Sequence, residues 1–168
     1  MKFFRILILL IIFLFKSQIL FAQDLVFIDI NYIINNSIAG KRILNELELT
    51  NKKNLTLLKN KQLELNKERN EIESKKNIIS EEKIKFEINS LNNKISNFQN
   101  KQQQMSNDFK ELNRIKINEL IRKINPIIEK YMTQNNIKII FNKESVYVSL
   151  EDGDITDDVI KLVDSVLN

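Results

Sequence analysis

A heptad repeat between Ile84 and Leu112 constrains this chain more than any other feature. Ile84, Ile88, Leu91, Ile95, Phe98, Met105, Phe109 and Leu112 recur in steps of three and four, with Gln102 the polar residue in the series. An apolar repeat averaging about 3.5 residues makes one narrow seam on a helix and draws a partner helix into a left-handed supercoil. Such a seam is a contact surface and holds no chemistry of its own. An upstream stretch has the length to be that partner. Leu44, Leu47, Leu55, Leu58, Leu65 and Ile72 fall near the same spacing, with Asn51, Gln62 and Arg69 in the remaining seam positions. Between the two, the run KKNIISEE from Lys75 to Glu82 reads as a hairpin tip. Ser80 is a capping residue type there, and Glu81 and Glu82 suit the positive end of a helix dipole. Two helices of about 40 residues rise about 60 Å each, so their shared core is almost one-dimensional, and bending and splaying are expected.

The flanks read differently. Leu25 to Ile30, LVFIDI, has the β-branched and aromatic character of a strand, and Asn35, Asn36 and Ser37 supply cap-type residues ahead of the first long helix. Beyond Leu112 the apolar pattern widens through Ile115, Ile117, Leu120, Ile121, Ile124, Ile127, Ile128 and Tyr131, as it does where a helix joins a globular body. Pro126 predicts a kink near Arg122 to Asn125, and Asn135 and Asn136 predict the helix end. Ile137 to Phe141 and Ser145 to Leu150 read as two strands, Asp152 to Asp154 as a turn. Thr156 is the expected cap of a last helix, with Asp157 and Asp158 in its first turn. The strands stand on opposite sides of the long helices in sequence. They share one sheet only if the hairpin is an insertion that leaves one body and returns to it.

The expected fold class is therefore α+β, mainly α. Residues 23–36 and 126–168 form a small β-containing body, and residues 37–125 form a long antiparallel helical-hairpin coiled-coil arm with its tip near 76–81. A body of about 60 residues is near the size at which a lone core is marginal, and its open sheet leaves edges unpaired. Oligomerisation through the sheet relieves both and places several arms around a common axis.

Residues 1–22 read as a cleavable export signal. Lys2 and Arg5 open it, Ile6 to Phe15 is an unbroken apolar run of ten, and Ala22 offers a small residue at the cut. Ten helical residues cover roughly half of a ~30 Å hydrocarbon core, which favours a signal over an uncleaved anchor that enlists Ile19 to Phe21 as well. Of the 26 basic residues, Lys2, Arg5 and Lys16 lie in this segment, so the rest is nearly balanced against 22 acidic ones. The distribution is uneven: residues 41–125 hold 19 basic and 12 acidic side chains, and the remainder of the mature chain holds 4 and 10. A basic rod joins an acidic body. Lysines on the outer positions of a solvated coiled coil explain most of this, and an anionic polypeptide or an anionic lipid headgroup is a partner that fits the rest. Export and the lack of an aromatic or Arg-rich patch disfavour nucleic acid.

Composition removes most catalytic classes. With no Cys and no His, neither a histidine-assisted nucleophile nor the commonest zinc and haem sites can be built. Two glycines, Gly40 and Gly153, cannot make a phosphate-cradling or dinucleotide loop, so an ATP-driven cycle is not expected. Asp152, Asp154, Asp157 and Asp158 are the one metal-like cluster, but the twelve-residue calcium loop with its closing Glu is missing, and a turn followed by dipole-compensating aspartates explains them. No catalytic, cofactor or metal residue is assigned, and the chain is not expected to be an enzyme.

The order of these elements resembles the periplasmic chaperone family known as Skp or OmpH. An export signal is followed by LVFIDI, then SIAGK running into a helix, then a hairpin with SEEK at its second helix start, a short strand pair and a closing DITDDVIKLV. Ser37 to Lys41 and Asp154 to Val159 carry the most specific part of the resemblance, which spans essentially all of the mature chain. It implies a homotrimer in which strands of three chains form a small barrel and three helical hairpins surround a cavity. It also implies a holdase that keeps unfolded outer-membrane proteins soluble without ATP. The basic cluster proposed to bind lipopolysaccharide in that family is not carried over, because Glu111 and Leu112 fall where arginines are expected. Many weak contacts at high effective concentration would hold a client without fuel. The contact residues expected are Lys75, Lys76, Lys83, Lys85, Lys101 and Lys110, with Ile78 and Ile79 at the tip. The competing reading is an exported coiled-coil adaptor that binds one folded partner. A membrane-tethered spacer is a third, and requires the first segment to stay uncleaved.

Overall fold

A computed structural model describes residues 25–148 and 153–167; the expected export segment lies outside them. Along the chain stand β1 (Leu25–Ile28), α1 (Ile30–Asn36), α2 (Ile38–Lys75), α3 (Glu81–Asn135), β2 (Ile139–Asn142), a 3-10 turn (Lys143–Ser145) and α4 (Thr156–Val166). The architecture is mainly helical, with long helices and a two-stranded sheet, as the sequence pattern leads one to expect. Among the described residues no helix is long and apolar enough to cross a membrane.

The sheet joins the two sides of the hairpin. β1 and β2 pair in parallel, Leu25 opposite Ile139 and Ile28 opposite Asn142. On the other side of β1, Phe27 makes a bridge with Asp154, and the Ile155 amide donates to the Phe27 carbonyl at 3.1 Å. β1 is thus flanked on both sides and buries Val26, Phe27 and Ile28, whereas β2 leaves Ile139 and Phe141 exposed.

Two sequence expectations, both about strands, change here. The strand LVFIDI stops at Ile28, because Asp29 turns the chain: its carboxylate accepts from the Tyr32 amide at 2.8 Å and caps the short helix α1. The expected strand from Ser145 to Leu150 is not formed over the residues described. Lys143–Ser145 is a 3-10 turn, Val146 to Val148 is irregular, and Leu150 lies outside the described residues. Helix α3 passes through Pro126 without ending. Pro126 and Arg122 are both exposed, so water can serve the carbonyl that proline leaves without a donor. The helix ends at Asn136, whose φ of 55° is the left-handed turn that Asn tolerates.

The joint between α1 and α2 explains the SIAGK stretch. The buried Ser37 hydroxyl accepts from the Gly40 amide at 3.1 Å and caps α2. A Cβ at Gly40 would sit 1.8 Å from the Ile34 carbonyl oxygen, so only glycine lets the two helices meet this closely. Around this joint lies the main core, where Ile33, Ile34, Leu120, Ile124, Val159 and Val163 bring α1, α3 and α4 together. Thr156 stands at the first residue of α4 and does not cap it. Its buried hydroxyl instead accepts from the Asp29 amide at 2.9 Å, and Asp154 accepts from the Thr156 amide and hydroxyl.

Helices α2 and α3 pack as an antiparallel pair with the loop Lys76 to Ser80 between them. On α3, Ile84, Leu91, Phe98 and Met105 are buried at an interval of seven, and Ile88 at 41% exposure lies off the contact line. On α2, Leu47, Leu65 and Ile72 are buried and Leu58 half-buried, but Leu55 is 59% exposed. The other seam positions are Asn54, Lys61 and Glu68, all half-buried, while Asn51, Gln62 and Arg69 are exposed. The partner helix lies on the flank reached by steps of three from the leucines. On this flank Lys94 of α3 bonds Glu68 across the helices at 2.6 Å. Ser80 begins α3 through its backbone carbonyl, with no side-chain capping bond.

Candidate functional site

The arm exposes apolar side chains that its own seam does not use. At the tip, Ile78 is 79% exposed and Phe86 75% exposed, and Ile79 is half-buried. The loop is fixed by the Lys75 carbonyl, which accepts from the amides of Ile78 and Ile79 at 2.9 and 3.2 Å. Six of the residues expected to contact a client gather here: Lys75, Lys76, Ile78, Ile79, Lys83 and Lys85. Lys85 is paired with Glu81 at 2.8 Å. Lys101 and Lys110 do not join them. Lys101 stands sixteen residues along α3 from Lys85, about 24 Å at 1.5 Å per residue, and Lys110 lies nearer still to the body.

Two grooves run along the hairpin. Near the tip, a groove of about 400 Å³ is lined by Glu64, Glu68, Glu71 and Glu87 together with Lys75 and Phe86. At mid-arm a second groove of about 420 Å³ has Leu57, Leu58, Phe98 and Met105 as its floor. Lys61, Lys94 and Lys101 form its rim, and no acidic side chain lines it. Leu57, Lys61, Lys94 and Phe86 were not among the residues expected from sequence. The signal was present, since Leu57 and Phe86 are large apolar residues off the heptad line. Charge pairing fixes part of this surface: the Lys61 ammonium holds the Glu64 carboxyl below its ordinary value.

The body has a groove of about 500 Å³ between Phe27, Asp29, Tyr32, Lys143, Asp154 and Thr156. Lys143, Asp154, Thr156 and Asp29 are bonded to one another or to neighbouring amides, and Asp157 also lines the groove. Lys143 bonds Asp154 at 2.8 Å and lies 5.8 Å from the Phe27 ring centre. Burial alone would raise the Asp154 carboxyl, but the bonds from Lys143 and Thr156 outweigh it and hold the pKa below the ordinary 3.8. Lys143 is raised for the same reason. Asp158 is paired with Lys161 at 3.0 Å, and Asp152 lies outside the described residues. This network ties β1, the turn after β2 and the start of α4 together.

The profile of the family described as "Outer membrane protein (OmpH-like)" matches residues 24–163. The chain belongs to the OmpH-like family. Its fold is similar to a crystal structure at 2.83 Å of a proposed outer membrane chaperone (OmpH-like) from Caulobacter crescentus CB15, with a TM-score of 0.79. The two share 18% sequence identity over 84% of each chain. No curated protein sequence matches.

Proposed function

We propose that this chain is an ATP-independent periplasmic holdase that keeps unfolded outer-membrane β-barrel proteins from aggregating. Membership of the OmpH-like family supports a chaperone role, and the observation that carries the rest is the arm. It presents large apolar side chains and lysines to solvent along a projecting surface, and its two grooves are open along the hairpin. Such a surface fits a client that is extended, variable in sequence and rich in alternating apolar residues. Each contact is weak, so release needs no nucleotide.

In this reading three chains assemble through their sheets, because Leu25, Ile139 and Phe141 are exposed and β2 pairs on one side only among the described residues. Three arms then surround a cavity, and the N-terminal segment delivers the chain to the periplasm. Contact of the lysine-bearing arms with anionic lipid or lipopolysaccharide belongs to the same reading. The adaptor alternative is favoured by Leu49 and Leu63, both exposed two heptads apart on α2, which a helix of a folded partner could cover.

Light scattering decides between them. A urea-unfolded outer-membrane barrel protein is diluted into buffer with and without the mature chain. A trimer that keeps it soluble without ATP supports the holdase. A monomer or dimer that leaves it to aggregate, yet binds one folded protein tightly, supports the adaptor.

A further inference from the structure

The mid-arm groove pairs an apolar floor with a rim of three lysines and Asn97, without a carboxylate. Leu57 is 58% exposed, and beside it Phe98 and Met105 reach the groove from the seam itself. Lys61 and Lys94 are each held on their tipward side, by Glu64 at 2.7 Å and Glu68 at 2.6 Å. An ammonium group has three donors, so both keep hydrogens to offer. Lys101 has no ion-pair partner among the described residues. The groove nearer the tip has four glutamates against Lys67 and Lys75, and so repels what the mid-arm groove attracts.

We infer that the mid-arm groove docks an extended polypeptide segment presenting one bulky apolar side chain between two carboxylates. This rests on the holdase reading and adds which client segments the arm selects. Lys94 and Lys101 stand two helical turns apart, about 10 Å along the axis. In an extended strand, side chains two positions to either side of a central residue point the same way and are about 13 Å apart. Flexible lysine side chains span the difference. A central aromatic or aliphatic side chain then enters the floor while its flanking carboxylates meet the rim.

The three methionines allow a direct test: Met105 lines the groove, Met132 packs against the body core and Met1 is in the N-terminal segment. The full chain, labelled with carbon-13 at the methionine methyls, is titrated with a blocked heptapeptide. The probe has a central phenylalanine, aspartates two positions to either side, and serine and threonine elsewhere. The Met105 signal should shift saturably while the Met132 signal stays. Replacing the aspartates by lysines, or the phenylalanine by alanine, should weaken binding about fivefold or more, as should Lys101→Glu in the protein. Lys101→Gln should fall between. An unmoved Met105, an equal response to the lysine peptide, or tighter binding of monomeric decanoate than of the peptide would each overturn the inference. A chain that keeps the unfolded barrel soluble while Met105 stays unmoved loses the groove and keeps the holdase reading. The reverse result keeps the groove and removes the holdase.

Discussion

The body and the arm of this chain are built from the same isoleucine, leucine and phenylalanine, yet they hold together in different ways. In the body, side chains from α1, α3, α4 and the sheet converge, so that Ile33, Ile124, Val159 and Val163 have no exposed surface. In the arm the apolar cluster of Leu65, Ile72, Leu91 and Phe98 is a single file between two helices, with Lys61 and Glu68 half-buried among its members. Each apolar residue in the file is covered by two helices alone, with no third element packed over the seam among the described residues. The body is therefore specified in three dimensions, and the arm only along its length. Under the proposed holdase function, the body would set the spacing of the arms and the arm would bend and offer its unused apolar side chains.

Mutations should separate the two regimes. Ile124→Ala empties the centre of the body and should cost about 3 to 5 kcal/mol, read as a lower melting temperature for the whole chain. Gly40→Ala drives a methyl into the Ile34 carbonyl and should cost about 1 to 3 kcal/mol, again globally, because α1 and α2 cannot both keep their positions. Leu65→Ala is buried just as deeply in the arm. It should leave the body's melting nearly unchanged and raise hydrogen exchange only between about residues 58 and 98, since the single file has no third element to transmit the loss. A whole-chain loss as large as that of Ile124→Ala would break the comparison. Glu68→Gln removes the cross-arm partner of Lys94 and should cost less than about 1 kcal/mol, visible as faster local exchange.

Acid sharpens the same contrast from the body's side. The Asp154 carboxyl titrates below 3.8, so its contribution is complete above that value and is lost as the pH falls through its lower folded-state pKa. Asp154→Asn should flatten the acid limb of the stability curve below about pH 4, measured by thermal melting, and leave the arm's exchange pattern as it was.

Much of this division is legible in the residues. The seven-residue spacing of Ile84, Leu91, Phe98 and Met105 requires a partner helix, and the broadening from Leu120 to Ile128 marks where that helix meets a core. Leu25 to Ile28 and Ile139 to Phe141 read as strands because β-branched and aromatic residues dominate both. What the pattern left open depends on partners distant in sequence. Leu55 lies at heptad spacing, and only the position of α3 decides that Lys61 and Glu68 enter the seam in place of Gln62 and Arg69. The turn at Asp29 depends on Thr156, 127 residues away, accepting its amide hydrogen. The mid-arm groove is the same kind of case. Lys61 and Lys94 look like ordinary surface lysines until the hairpin closes and sets them around Phe98 and Met105.

Hydrogen exchange on the free chain and on the chain loaded with an unfolded outer-membrane barrel protein tests the account most directly. It predicts that residues 47–65 and 98–112 exchange faster than α1 and α4 in the free chain, and gain protection on loading while the body stays unchanged. An arm already as protected as the body, or protection that falls on the sheet and leaves the arm untouched, would contradict it.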